Sequence, residues 1–196
     1  MSRRFDRGID SLERITGVPL ASGNPQPIDH GLAGWTFDPA DVQGATILPT
    51  AGRLELARFR ASGPLITNIL ATVTVAGGTL TSGRNFAALY TDAGALLAAT
   101  ADQTTAWGST GVKTMALSAA QAVTPGAFYR VGVFSNGTTL PTFTRASVAF
   151  NAAALNPGQS APTLRYSSAD TGLTTAMPAN LGAQTAQATA WWFGLS

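Results

Sequence analysis

Apolar and polar positions change period once along this chain. Phe5, Ile9, Leu12 and Thr16 recur at spacings of four, three and four, one face of a helix, with Ser2 placed as its N-cap and Gly17 as its stop ahead of Pro19. Gly8 inside that stretch weakens it by about 1 kcal/mol. The ASGNPQPIDHG that follows has no period and reads as an extended linker. From about residue 52 the period becomes that of strands. RLELARFR alternates at Leu54, Leu56 and Phe59, and PLITNILATVTV is a longer β-branched run that stops at AGG, residues 76–78. FAALY and ALLAAT flank TDAG, a short turn with Gly94 where positive φ is needed, and so predict a hairpin.

VKTMAL, FYRVGVF and ASVAF supply three further strands, separated by AQAVTPGA and by SNGTTLPT, in which Asn136-Gly137 is a turn signal. A passage rich in Pro, Gly and Ser occupies residues 156–172, and TAWWFGLS then reads as a closing strand. Short strands separated by turns, without βα alternation, predict an all-β fold. The expected architecture is a jelly-roll-like antiparallel β-sandwich over residues 35–196, preceded by an anchor over 1–34 made of a short helix and an extended segment.

Composition agrees with many short elements. The 196 residues include 21 Gly and 11 Pro, and the 45% hydrophobic content is rich in Ala. Charge divides the chain, since residues 1–60 hold 14 of the 22 charged side chains. The striped N-terminal helix therefore has two readings: it lies on its own domain, or it docks on a partner through Phe5, Ile9, Leu12 and Thr16. Its four Arg residues stand among Asp6, Asp10 and Glu13, which reads as a solvated ion-pair face. Elsewhere the basic residues are scattered singly at a net charge of +2, so no nucleic-acid face is expected. The N-terminus has no continuous apolar core of a signal peptide, and no window approaches the ~18 apolar residues of a membrane span.

Catalytic chemistry finds little support in these residues. With no Cys and one histidine, His30, neither a Cys-His pair nor a two-histidine metal motif can be built within one chain. Asp38 and Asp41 in DPAD could serve as paired carboxylates or oxygen ligands, yet Asp-Pro also opens turns and no Gly-centred calcium loop follows. Asp92 in TDAG reads as a turn residue. No enzyme and no cofactor are expected. The aromatics offer more. Trp107 in TTAWGSTG sits between two strands, where its ring either stacks on a sugar or partner or caps the sandwich. Trp191, Trp192 and Phe193 are consecutive, so in a strand Trp192 faces opposite to its neighbours, one side serving the core and the other a subunit contact.

The run NFAALYTDAGALLAATADQTTAWGSTGVKTMALS, followed by QAVTPGAFYRVGVFSNGTT, resembles β-sandwich domains of minor tail, tail-fibre and related virion proteins of actinobacterial tailed phages. The likeness covers roughly residues 50–150 and consists of strand and turn signatures rather than active-site residues. It implies a structural or adhesive virion protein released by lysis, commonly a homotrimer, whose N-terminus attaches it to other virion proteins. A host cell-surface polysaccharide is a further implied partner. The chain shows no long fibre shaft, which keeps a capsid decoration or head-fibre role open beside the tail role. A free carbohydrate-binding module is the more distant alternative.

Overall fold

A computed structural model describes residues 25–48, 50–146 and 151–196. The anchor-face residues Phe5, Ile9, Leu12 and Thr16 lie outside the described residues. The strands are β1 (Gly34–Trp35), β2 (Gly44–Ile47), β3 (Leu54–Arg60), β4 (Leu65–Val75), β5 (Gly78–Leu80), β6 (Phe86–Thr91) and β7 (Leu96–Ala99). They continue with β8 (Gly111–Ala122), β9 (Phe128–Phe134), β10 (Gly137–Thr139), β11 (Thr142–Arg145), β12 (Tyr166–Ala169), β13 (Thr185–Ala186) and β14 (Gly194–Leu195).

These strands form an all-β antiparallel sandwich. One sheet runs β13-β12-β3-β9-β6-β7, and the other runs β1-β14-β4-β11-β2 with β8 also paired to β4. Ile69 of β4 pairs with both Leu195 and Met115, so β8 and β14 occupy opposite edges of that strand. Consecutive strands cross repeatedly between the sheets, from β3 to β4, β8 to β9 and β11 to β12, the crossing habit of a jelly roll.

Alternation along each strand explains the packing. On β3, Ala57 and Phe59 enter the core between the sheets, together with Ile69 and Val73 of β4 and Val131 and Val133 of β9. Leu54 and Leu56 face the other way and join Tyr90, Phe134 and Met177 in a second cluster, against which Leu173 and Leu181 pack. Segment 173–181 thus covers one outer face, and β3 is buried on both sides.

The predicted TDAG hairpin is present. Gly94 has φ +96°, and the Thr91 amide donates to the Ala95 carbonyl at 2.9 Å. Other passages differ from their sequence reading. Gly137–Thr139, read as part of a turn, is a strand that pairs with Gly78–Leu80 in a separate two-stranded ribbon. The passage 156–172 contains β12, which adds to β3 from Ala57 to Leu54. ASVAF falls largely on residues 147–150, outside the described residues, and the strand before it is Thr142–Arg145. In TAWWFGLS only Gly194–Leu195 is strand, although Trp191 bridges Arg145.

The sandwich also begins earlier than residue 35. Pro27 opens a 3-10 turn, Pro27–His30, that ends at Gly31 with φ +68°. Ala33 is buried and its amide donates to the Leu195 carbonyl at 2.7 Å, and Gly34 pairs with Leu195, so residues 33 and 34 are already fastened to the last strand.

Candidate functional site

Trp107 is not a surface ring. It ends the helical turn Thr104–Trp107 and is 0% exposed, its ring edge-on to Phe143 with centroids 5.3 Å apart. Its indole N–H donates to the Met115 sulfur at 3.3 Å. A ring with no free face cannot stack on a sugar, which corrects the contact role and leaves packing between the sheets.

Trp191, Trp192 and Phe193 need a similar correction as a subunit contact. Trp191 and Phe193 are buried in the intersheet core. Trp192 is only 8% exposed, and its environment shows why. A Cβ on Gly194 would lie 3.3 Å from both Leu32 Cδ1 and Trp192 Cη2, so the missing side chain lets those groups close over the strand. The same chain already covers all three aromatics.

The sequence did not anticipate the cleft that the fold assembles where the two sheets meet. It has a volume of about 700 Å³, and its lining comes from residues 26–41, 58–62, 126–128, 159 and 165. Its aromatic surface includes half-buried Trp35 and Phe128, which is 43% exposed. His30 packs edge-on against Trp35 at a centroid distance of 5.3 Å. Asp38 caps the 3-10 turn Pro39–Asp41, its Oδ1 accepting from the Ala40 amide at 2.8 Å. The same turn carries Asp41 into the cleft lining, where it is exposed.

Three arginines complete the lining, and each is held differently. Arg58 makes a bidentate pair with Asp92, Nε to Oδ1 and Nη2 to Oδ2, while its guanidinium carbon lies 3.8 Å from the Phe128 ring centroid. Arg60 donates Nε to the Gly126 carbonyl at 2.7 Å. Arg165 donates Nη2 to the Thr36 carbonyl at 3.0 Å, tying β12's entry to the chain after β1. Asp92 is thus more than a turn residue. The hydrogen bonds from Arg58 hold its carboxyl below the usual carboxylate range, against a smaller opposing effect of burial.

The outer face of the β4-β8 pair has a different character. The register places Thr114 opposite Leu70 and Val112 opposite Thr72, on the side away from buried Met115 and Ile69. Val112, Thr114, Ala116 and Ser118 are exposed, as is Thr74. No charged residue alternates onto this side of β8, because Lys113 lies in register with Ala71 and reaches back to Ser109 Oγ at 2.9 Å. Besides its pairing with β4, β8 makes only an isolated bridge, Leu117 with Thr100, among the described residues.

Among the described residues no group of three His, Cys, Asp or Glu side chains is placed to hold a metal ion, and no helix is long and apolar enough to cross a membrane. No family model matches the chain, and no curated protein matches it either.

Proposed function

We propose that this chain is a structural virion protein of a tailed bacteriophage, a minor tail or fibre-like component that assembles with copies of itself. The observation that supports this reading best is the uncharged outer face of the β4-β8 pair. Small Thr, Ala and Ser side chains lose little rotamer freedom when a contact orders them. A face without charges can also be laid against its own copy with no like charges brought together and no unpaired ion buried. The exposed edge of the 12-residue β8 adds unpaired backbone groups, the usual template for pairing with another chain.

The resemblance over residues 50–150 supports the same reading, because the quoted run spans β6 through β10 and so includes β8, one of the two strands of that face. A trimer is the expected assembly. Electron microscopy of phage particles treated with labelled antibody against this chain tests the reading. Label along the tail supports it, label over the shell would make the protein a capsid decoration, and unlabelled particles would overturn a virion role.

A further inference from the structure

The geometry points to the cleft between residues 34–41 and β3 as the docking groove for residues 2–16 of the same chain. This inference stands apart from the virion reading, because it concerns contacts within one chain. The cleft carries an excess of positive charge. Arg58, Arg60 and Arg165 line it against Asp38 and Asp41, and Asp92, the partner of Arg58, is shared with buried Arg130. The arginines stand together, since Arg58 and Arg60 alternate along β3 and the Arg58 amide donates to the Arg165 carbonyl at 2.7 Å. Arg60 is exposed and donates only its Nε, to the Gly126 carbonyl, so its Nη groups have no partner among the described residues. Apolar surface lies beside this charge. Phe128 is 43% exposed, and Ile28, next to Pro27 of the lining, is 65% exposed. A complementary occupant presents an apolar stripe with carboxylates along one side.

Residues 2–16 carry that pattern in their sequence. Asp6, Asp10 and Glu13 each follow an apolar position by one residue, after Phe5, Ile9 and Leu12. At about 100° per residue on a helix, these acids form a row along one side of the apolar stripe, and Arg3, Arg7 and Arg14 fall nearly opposite it. Like charges spaced three and four apart destabilise an isolated helix, and facing guanidiniums relieve that repulsion. Connection favours the same occupant. Among the described residues the chain starts beside the cleft, with Gln26 and Pro27 in its lining. Residues 17–25 can span about 30 Å when extended. A tether that short holds its end at an effective concentration on the order of millimolar, so a contact too weak to join separate molecules is occupied within one.

Distance measurement by electron–electron double resonance on the full chain tests the proposal. The chain has no cysteine, so Ser11→Cys and Ser160→Cys supply two unique sites for spin labels. Ser11 falls away from the apolar stripe and the acid row, and Ser160 is exposed beside Gln159 of the lining. The labelled chain should give one narrow population below about 30 Å, because the Ser11 label stands about one helix diameter, ~10 Å, outside the cleft. Asp10→Arg should cut that population at least about threefold, as should Arg60→Glu, and the two together should restore it because the reversed pair attracts again. Asp10→Arg alters no described residue, so it keeps the test decisive if Arg60→Glu does not fold. A broad distribution in the labelled chain, or a narrow one at longer distance, would overturn the proposal. So would a short population that Asp10→Arg leaves unchanged, or one that the folded double reversal fails to recover. Loss of the short population on mixing with an about tenfold excess of unlabelled chain would place the segment on a second copy and overturn docking within one chain.

Discussion

Arg58 and Asp92, 34 residues apart in the chain, are joined by two parallel hydrogen bonds of 2.6 Å that tie β3 to the turn after β6. The pair also controls a third group. Arg130 stands directly opposite Arg58 in the β3-β9 register, is 0% exposed, and lies 3.5 Å from Asp92 Oδ1. Its remaining donors go to backbone oxygens, Nη1 to Leu164 at 3.0 Å, Nη2 to Pro162 and Nε to Asp92 at 3.2 Å. One carboxylate therefore separates two neighbouring guanidiniums and helps fasten segment 162–164 over the sheet.

Asp92→Asn should lower stability by about 2 to 4 kcal/mol, since it leaves a buried cation without its counter-charge. The pH dependence has a definite sign. Because Arg58 holds the Asp92 carboxyl below its usual range, its contribution is complete above the unfolded value of about 3.9 and is lost as the pH falls through the lower folded value. Urea denaturation between about pH 5 and 2 should show a shallower acid loss in the variant. Parallel curves for the two proteins would contradict this account of Asp92.

Glu55 should show the opposite sign. It is 1% exposed on the core side of β3, and burial raises its carboxyl above the usual range despite the 2.7 Å bond from Arg53 Nε. Its contribution is greatest below the unfolded value of about 4.3 and is lost as the pH rises through the raised folded value. Glu55→Gln removes that titration. The stability of the variant relative to the original chain should increase from about pH 4 to 7, and a constant difference would refute the assignment.

Trp107→Ala removes a large side chain from between the sheets. The loss should be about 3 to 5 kcal/mol, with a fall in melting temperature on the order of 10 °C. Calorimetric melting checks this directly. A variant that melts with the original chain would mean that the indole is not packed against Phe143 and Met115.

Strands were legible where the chain signals them locally. β4 and β9 carry β-branched and aromatic runs, and the β6-β7 hairpin has its Gly94 turn, so their own side chains announce them. β12 reads Tyr-Ser-Ser-Ala inside a Pro and Gly-rich passage, and it becomes a strand through pairing with β3 more than 100 residues earlier in the chain. Tertiary pairing overrides weak local preference there. Trp107 was ambiguous for a related reason, since Gly, Ser and Thr beside it do not reveal that a helical turn folds the ring inward. The cleft was the least legible feature. Its lining comes from five separate parts of the chain, and the only local trace is GWTFDPAD, which sets Trp35 and Phe37 beside Asp38 and Asp41.

Self-association through the uncharged β4-β8 face is the central claim, and sedimentation equilibrium measures it most directly. At micromolar concentration the original chain should sediment as an oligomer, about three times the 20.1 kDa chain mass for a trimer. Thr114→Lys and Ala116→Lys place charges on the exposed face and should shift the protein toward a monomer that keeps its strand circular dichroism. A 20.1 kDa monomer for the original chain throughout that range, or oligomers unaffected by either lysine, would contradict the claim.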